Sequence, residues 1–220
     1  MPERALVLFT KPPIPGRVKT RLIGDLTAEQ AAQLHEAFQD DLLAALKGGS
    51  FDLRLAWALD GGEELPRGPV PGLRQEGSDL GERLYEALAA VSREYRWVAA
   101  VGTDHPELTR QTVEEALDRL EKGADIVLGP AEDGGFYLVA VRGDRLAPAL
   151  FEGIPWSTAE VLQVMRERCR RLGMRTTFLE RLRDVDTPLD LANLVRSLEA
   201  GRHDCPRSRS LLVQWGRLAP

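Results

Sequence analysis

The segment Thr10-Lys-Pro-Pro-Ile-Pro-Gly-Arg-Val-Lys-Thr-Arg21 carries four cations and no acid. Pro12, Pro13 and Pro15 stiffen it, and Gly16 allows backbone N–H groups to approach a ligand closely. Lys11, Arg17, Lys19 and Arg21 add positive charge, so the segment has the chemistry of a polyphosphate cradle. A solvated basic turn has the same composition, but a proline-held cationic loop in an acidic chain favours the anion site. The run Gly16-x-x-Lys19-Thr20 is not a nucleotide-binding P-loop, because Val18 and Pro13 stand where that motif requires glycine.

Carboxylates form the second group. Asp104, just before His105-Pro106, and Asp186, in Asp184-x-Asp186, are the metal candidates, since Mg²⁺ takes one or two carboxylates and completes its octahedron with water and phosphate oxygens. Asp104 reads equally well as a turn residue. For Asp186 the alternative of an N-cap is weaker, because Thr187 before Pro188 already fills that role. Glu132-Asp133-Gly134-Gly135 is either a tight turn or a place where backbone closely approaches a ligand beside Asp133. His105 lacks an evident partner and reads as structural. Ser157 reads as a helix cap, with Trp156-Ser-Thr158 as an alternative acceptor-pocket wall. Cys169 lies on an apolar helical stripe and reads as core. The absence of a Gly-x-Ser-x-Gly elbow argues against Ser-His-Asp hydrolysis.

The elements that must position these groups alternate along the chain. Apolar runs predict strands at Arg4–Phe9, Phe51–Leu59, Leu73–Glu76, Arg96–Val101, Ala124–Leu128, Phe136–Val141 and Met174–Leu179. Helical stripes separate them. The Thr27/Gln30 capping box opens a helix to about Leu46, and Ser78 or Asp79 caps one through Leu80, Leu84, Leu88 and Val91. Val113–Leu120 marks a third helix, a Ser157/Glu160 capping box opens a fourth, and Thr187-Pro188 opens a fifth through Leu198. The stretch Pro66–Gly72 reads as a loop. The link between the strands at Ala124–Leu128 and Phe136–Val141 is too short for a parallel crossover, which places them in different parts of a mixed sheet. Such alternation implies a three-layer α/β domain with a mainly parallel sheet, whose ligands bind beyond the carboxyl ends of the strands. The candidate residues follow those ends. A domain over 1–200 is expected, with 201–220 as a C-terminal tail in which 207–215 forms either a docked helix or a loose end.

With 220 residues, 29 Lys and Arg against 34 Asp and Glu, and a net charge of −5, the chain is large enough for one full core. Mild acidity disfavours broad nucleic-acid binding. Cys169 and Cys205 stand too far apart, and without neighbouring ligands, for a zinc site or redox pair, which suits a reducing cytoplasm. No apolar run approaches a membrane span, and Met1-Pro-Glu-Arg4 leads into the first strand without a cleavable signal pattern.

Taken together, Phe9–Leu22, Gly77-Ser-Asp-Leu-Gly-Glu-Arg83, Gly102-Thr-Asp-His-Pro106, Leu128-Gly-Pro-Ala-Glu-Asp-Gly-Gly-Phe-Tyr137, Ile154-Pro-Trp-Ser-Thr158 and Asp184-Val-Asp-Thr-Pro188 resemble a glycosyltransferase-A-like family labelled arsenosugar-biosynthesis glycosyltransferase. The resemblance spans about residues 4–195. It implies a Rossmann-like nucleotide-diphospho-sugar transferase fold, related to phospholactate guanylyltransferase, in which Lys19 and Arg21 contact nucleotide phosphates. It further implies that Asp104 and Asp186 hold Mg²⁺ or Mn²⁺, and that Asp79 to Arg83 lie near the base. On this footing the catalytic set is Lys19, Arg21, Asp104 and Asp133, and the nucleotide-binding set is Lys11, Gly16, Arg17, Lys19, Arg21, Asp79 and Arg83. Thr103 and His105 replace the Ser and Cys usual in the family. The family label favours glycosyl transfer from a nucleotide-sugar to a small-molecule acceptor, which is the first reading. The density of cations on the first loop favours nucleotidyl transfer to a phosphorylated small molecule, and a non-catalytic nucleotide-binding module is the third reading.

Overall fold

The computed structural model describes residues 3–68 and 70–219; Met1, Pro2, Pro69 and Pro220, and with them part of the expected N-terminal lead-in and of the Pro66–Gly72 loop, lie outside the described residues. Seven strands form one sheet: β1 (Arg4–Thr10), β2 (Asp52–Trp57), β3 (Gly72–Arg74), β4 (Trp97–Gly102), β5 (Ile126–Pro130), β6 (Phe136–Arg142) and β7 (Thr176–Phe178), in the order β3-β2-β1-β4-β6-β5-β7. All neighbours run parallel except those of β6, which is antiparallel to both β4 and β5. The α/β class and mixed, mainly parallel sheet therefore stand as expected.

Strand alternation builds the layers, because successive side chains point to opposite faces. From β1, Leu6 and Leu8 join one core with Leu42 and Leu46 of α1 (Ala28–Leu46) and Val113 and Leu117 of α3 (Arg110–Glu121). Ala5 and Val7 face the other way, into a core with Leu84 and Leu88 of α2 (Leu80–Ser92) and Met165 and Cys169 of α4 (Val161–Arg171). Both sheet faces are thus covered, which is why β1, β4 and β5 can be apolar without interruption. A third cluster joins Leu22, Phe38, Leu191 and Leu194 of α5 (Pro188–Glu199) and Leu212 of α6 (Pro206–Gln214) beneath the first loop.

Two local expectations are corrected. The strands β5 and β6 do not sit apart: they pair directly, antiparallel, with a register shift at Gly129/Pro130. A short link that cannot cross over in parallel can still close a hairpin. The Ser157/Glu160 capping box does not form. Ser157 is left-handed (φ 63°), α4 begins after Glu160 without a side-chain cap, and the Leu162 amide donates instead to the Gly134 carbonyl at 2.9 Å. The Thr27/Gln30 box and the Thr187 cap are both present, the latter in a box with Asp190.

Residues 206–214 form a helix whose N-terminus is capped by a side chain from α1. Buried Asp41 accepts hydrogen bonds from the Arg207 amide (2.8 Å), the Ser208 amide (2.9 Å) and the Ser208 hydroxyl (2.6 Å). Exposed amides at a helix start favour a carboxylate, and here the chain supplies it from far away in sequence.

Candidate active site

Strand order reverses between β1 and β4, and a cleft of about 480 Å³ lies at their carboxyl ends. Its charged wall comes from the loop after β1. Turn bonds from the Ile14 amide to the Pro12 carbonyl (2.8 Å) and from Arg17 to Ile14 (3.0 Å) fold the loop, with Gly16 at φ 79° supplying the left-handed residue. Val18 and Leu22 are buried, and Leu22 pins the loop to the third cluster, while Arg17 and Arg21 remain outside. The His35 ring lies 3.1 Å from the Lys11 carbonyl, and Gln75 donates to the carbonyls of Ala56 (2.8 Å) and Thr10 (3.2 Å), fixing where β1 gives way to the loop.

Lys19 does not behave as the exposed loop cation that its sequence position suggests. Its side chain is 2% exposed, and its ammonium donates to the Val185 carbonyl at 2.7 Å while lying 2.5 Å from Asp104 Oδ1 and 3.2 Å from Asp186 Oδ1. Arg21, 69% exposed, stands 3.7 Å from Asp186 Oδ2. The two carboxylates meet because the Val185 amide donates to the Asp104 carbonyl at 2.9 Å, stitching the loop after β4 to the approach to α5. Burial alone would push the Asp104 carboxyl up; the Lys19 ammonium more than offsets this and holds it at about 2. For Lys19 itself, burial is overcome by Asp104 and Asp186, and the pKa is raised.

Asp133 and Asp184 line the same cleft. Asp133 Oδ1 accepts from the Gly135 amide at 2.8 Å, so the Glu132–Gly135 segment is a tight turn that also borders the cleft. Asp184 is pushed up to about 6 by burial first, then by the neighbouring charges of Asp133, Asp186 and Asp190. His105 is buried, with Nδ1 3.1 Å from the Arg183 carbonyl and its ring 5.4 Å from Tyr137. Burial lowers its pKa despite Asp104, in keeping with a packing role. In the same cleft, Phe136 and Trp156 meet edge to face at 6.0 Å and add an uncharged lining with Leu80 and Leu84.

Of the expected residues, the cleft gathers Lys11, Arg17, Lys19, Arg21, Asp104, Asp133 and Asp186. Arg17 is held at the rim by Asp60 at 2.5 Å and Glu63 at 3.4 Å. Gly16 shapes the loop without lining the cleft. Asp79 and Arg83 are engaged elsewhere: Asp79 caps α2 through the Glu82 amide (2.8 Å), and Arg83 Nε donates to the Gly77 carbonyl (3.0 Å). From α2 it is Leu80 and Leu84 that face the cleft. Sequence reasoning missed His35 and Gln75; Gln75 directly follows β3, where the strand-end rule could have found it.

The sequence resemblance implies Mg²⁺ or Mn²⁺ at Asp104 and Asp186. Among the described residues no set of three or more His, Cys, Asp or Glu side chains converges on one metal position. Asp104 and Asp186 nevertheless fit a divalent ion that draws its remaining ligands from water and phosphate: 47% and 32% exposed, they reach one shared cation, Lys19, from the loop after β4 and from the approach to α5.

Residues 42–158 match the family described as an uncharacterized protein conserved in bacteria (DUF2064). The chain belongs to this family. The DUF2064 chain is also 29% identical over 212 aligned positions to a 3-phospho-D-glycerate guanylyltransferase of Phenylobacterium zucineum, covering 90% of this chain and 92% of that one. A solved structure from Desulfovibrio desulfuricans, provisionally described as a nucleotide-diphospho-sugar transferase, shares 33% identity and superposes with a TM-score of 0.88 over 98% of this chain and 99% of its own. A cytidylyltransferase from Leptospira borgpetersenii shares the fold alone, at 12% identity and a TM-score of 0.56 over 97% and 95% of the two chains. These likenesses place the DUF2064 chain among transferases of nucleotidyltransferase or nucleotide-diphospho-sugar transferase fold. They do not bear on the arsenosugar label.

Among the described residues no helix is long and apolar enough to cross a membrane.

Proposed function

We propose that this protein is a nucleotidyltransferase, moving a nucleoside monophosphate from a triphosphate to a small phosphorylated acceptor with Mg²⁺ or Mn²⁺ as cofactor. The observation that carries the reading is the facing of one cationic loop against a carboxylate pair at the carboxyl ends of β1 and β4. Attack at an α-phosphate spreads charge over the α-phosphoryl oxygens and the departing pyrophosphate, and fixed cations stabilise that charge best when no reorganisation is needed. Lys11, Arg17 and Arg21 lie on one short stiffened loop and are the side chains for the polyphosphate. Lys19 is not among them, being paired with Asp104 and Asp186. A divalent ion held by Asp104 and Asp186 would supply Lewis-acid stabilisation at the phosphoryl oxygens. The near-full-length guanylyltransferase relative supports the choice of chemistry, and its name makes a phosphorylated hydroxy acid the first acceptor to try.

Glycosyl transfer from a nucleotide-sugar is the second reading. The uncharged Phe136–Trp156 wall favours it, because a sugar can lay an apolar face against aromatic rings. The leaving group separates the two. Nucleotidyl transfer releases pyrophosphate from a triphosphate when the acceptor is present, and Asp104→Asn should slow that release at least about a hundredfold if electrostatic stabilisation is lost. Release of nucleoside diphosphate from a nucleotide-sugar, with no pyrophosphate from any triphosphate, would reverse the assignment.

A further inference from the structure

We propose that the ligand-free protein keeps divalent cations off Asp104 and Asp186 because Lys19 and Arg21 already neutralise them, so that metal and nucleotide enter the site together. This deepens the nucleotidyl-transfer reading and rests on it for the identity of the second ligand.

A lysine ammonium has three protons to donate. Around Lys19 Nζ stand three acceptors, Asp104 Oδ1 at 2.5 Å, the Val185 carbonyl at 2.7 Å and Asp186 Oδ1 at 3.2 Å, with the face of Phe38 5.3 Å away. Val185 and Asp186 accept its hydrogen bonds, Asp104 is in ion-pair contact, and the side chain is almost sealed. The backbone there is left-handed, at φ 47°, a conformation that a side chain with a Cβ adopts rarely and keeps only when its surroundings enforce it. Lys19 is therefore the fixed half of a clamp. Arg21, exposed and 3.7 Å from the second oxygen of Asp186, is the loose half.

The charge balance follows. Two carboxylates face two cations, and one oxygen of each acid is already committed to Lys19. A dication approaching the remaining oxygens meets a fixed positive charge a few ångström away, a repulsion worth more than about tenfold in affinity near a protein surface. A triphosphate changes the balance, since it brings several negative charges and new oxygen ligands and gives Arg21 a better partner. Metal affinity should then depend on nucleotide, and by linkage nucleotide affinity on metal.

Mn²⁺ alone, followed by the loss of its free-ion electron paramagnetic resonance signal, tests the idea without turnover. Wild type is expected to leave the signal of submillimolar Mn²⁺ unchanged without nucleotide, and to take Mn²⁺ up once a non-hydrolysable GTP analogue is added. Lys19→Met is expected to bind nucleotide-free Mn²⁺ at least about tenfold more tightly than wild type. If Lys19 merely held the carboxylates in place, its loss would weaken Mn²⁺ binding instead, and that result overturns the proposal. Should Lys19→Met fail to fold, the exposed Arg21→Ala is expected to shift Mn²⁺ affinity severalfold in the same direction, and no shift there is equally fatal. Tight nucleotide-free binding by wild type also overturns it. Tighter Mn²⁺ binding in Lys19→Met, with no effect of the GTP analogue on wild type, would count against the nucleotidyl-transfer reading while leaving the clamp intact.

Discussion

Lys19 and Arg21 stand two residues apart, and removing either charge should have very different costs for folding. Truncating one partner of a sealed ion pair costs about 3–5 kcal/mol, because the other charge is left dry. Here the orphaned acids would be Asp104 and Asp186, 47% and 32% exposed, so water can take up part of the loss. Lys19→Met keeps the apolar stem and the backbone strain and should therefore cost about 2 kcal/mol, or roughly 4–8 °C in Tm for a chain of this size. Arg21→Ala, at an exposed side chain, should stay within about 0.5 kcal/mol. Urea unfolding at neutral pH, followed by far-UV circular dichroism, measures both. The difference between Lys19→Met and wild type should also depend on pH with a defined sign. The folded Asp104 carboxyl sits at about 2 against an ordinary 3.8, so its contribution is complete above 3.8 and disappears as pH falls towards 2. The Lys19 pKa is raised from 10.5, so its contribution is complete below 10.5 and declines only at more alkaline pH. Equal destabilisation by the two substitutions, or a Lys19→Met deficit that persists undiminished at pH 2, would refute the buried knot.

Three further perturbations test how the scaffold holds the cleft. Asp41→Ala removes the cap of α6 and strands the part-buried Arg207 amide and the buried Ser208 amide; it should cost roughly 2–3 kcal/mol and speed proteolysis within 201–219 before the rest of the chain. Asp125, 7% exposed, accepts from the Arg175 amide at 2.8 Å and its guanidinium at 3.3 Å, which outweighs burial and lowers its pKa from 3.8. Its contribution is present above 3.8 and lost below, so the wild-type advantage over Asp125→Asn in thermal melts should shrink as pH falls under that value. Gly134→Ala would place a Cβ 2.3 Å from the Ala159 carbonyl oxygen at a φ of 93°, and should destabilise by more than about 2 kcal/mol while displacing Ser157 and Thr158 at the cleft rim, visible as amide chemical-shift changes there.

The strands and helices were legible in the sequence where burial is continuous and caps are local. The run Arg4–Phe9 is apolar because β1 lies inside the sheet, between β2 and β4, with a core on each face, and Thr27 and Thr187 announce their helices because their partners, Gln30 and Asp190, lie three residues on. The Ser157 box carried the same signature and failed for a tertiary reason: the Leu162 amide finds the Gly134 carbonyl, brought in by the β5–β6 hairpin. Similarly, spacing alone excluded a parallel crossover between β5 and β6 but could not choose between separation and direct pairing. The partner that caps α6, Asp41, lies 166 residues from Arg207, and no local pattern can announce such a contact.

The candidate site was legible in its membership and opaque in its division of labour. Strand-end position picked out Asp104, Asp133 and Asp186, because a parallel sheet puts those positions at one edge whatever the side chains do. It could not say which loop cation turns inward. That depends on Val18 and Leu22: both are buried, and their anchoring leaves Arg17 and Arg21 outside while Lys19, between them, is left-handed and sealed against Phe38. The alternation of apolar and basic residues in Arg17-Val-Lys-Thr-Arg-Leu22 was visible beforehand, yet a regular helix or strand through it would have grouped Lys19 with different neighbours. One left-handed residue separates a run of similar cations into a rim arginine, a buried clamp and an exposed arginine paired loosely with Asp186. The chemistry proposed for this cleft depends on that inequality, since a loop of four exposed cations would bind phosphate but would leave the two carboxylates unpaired and open to any passing metal.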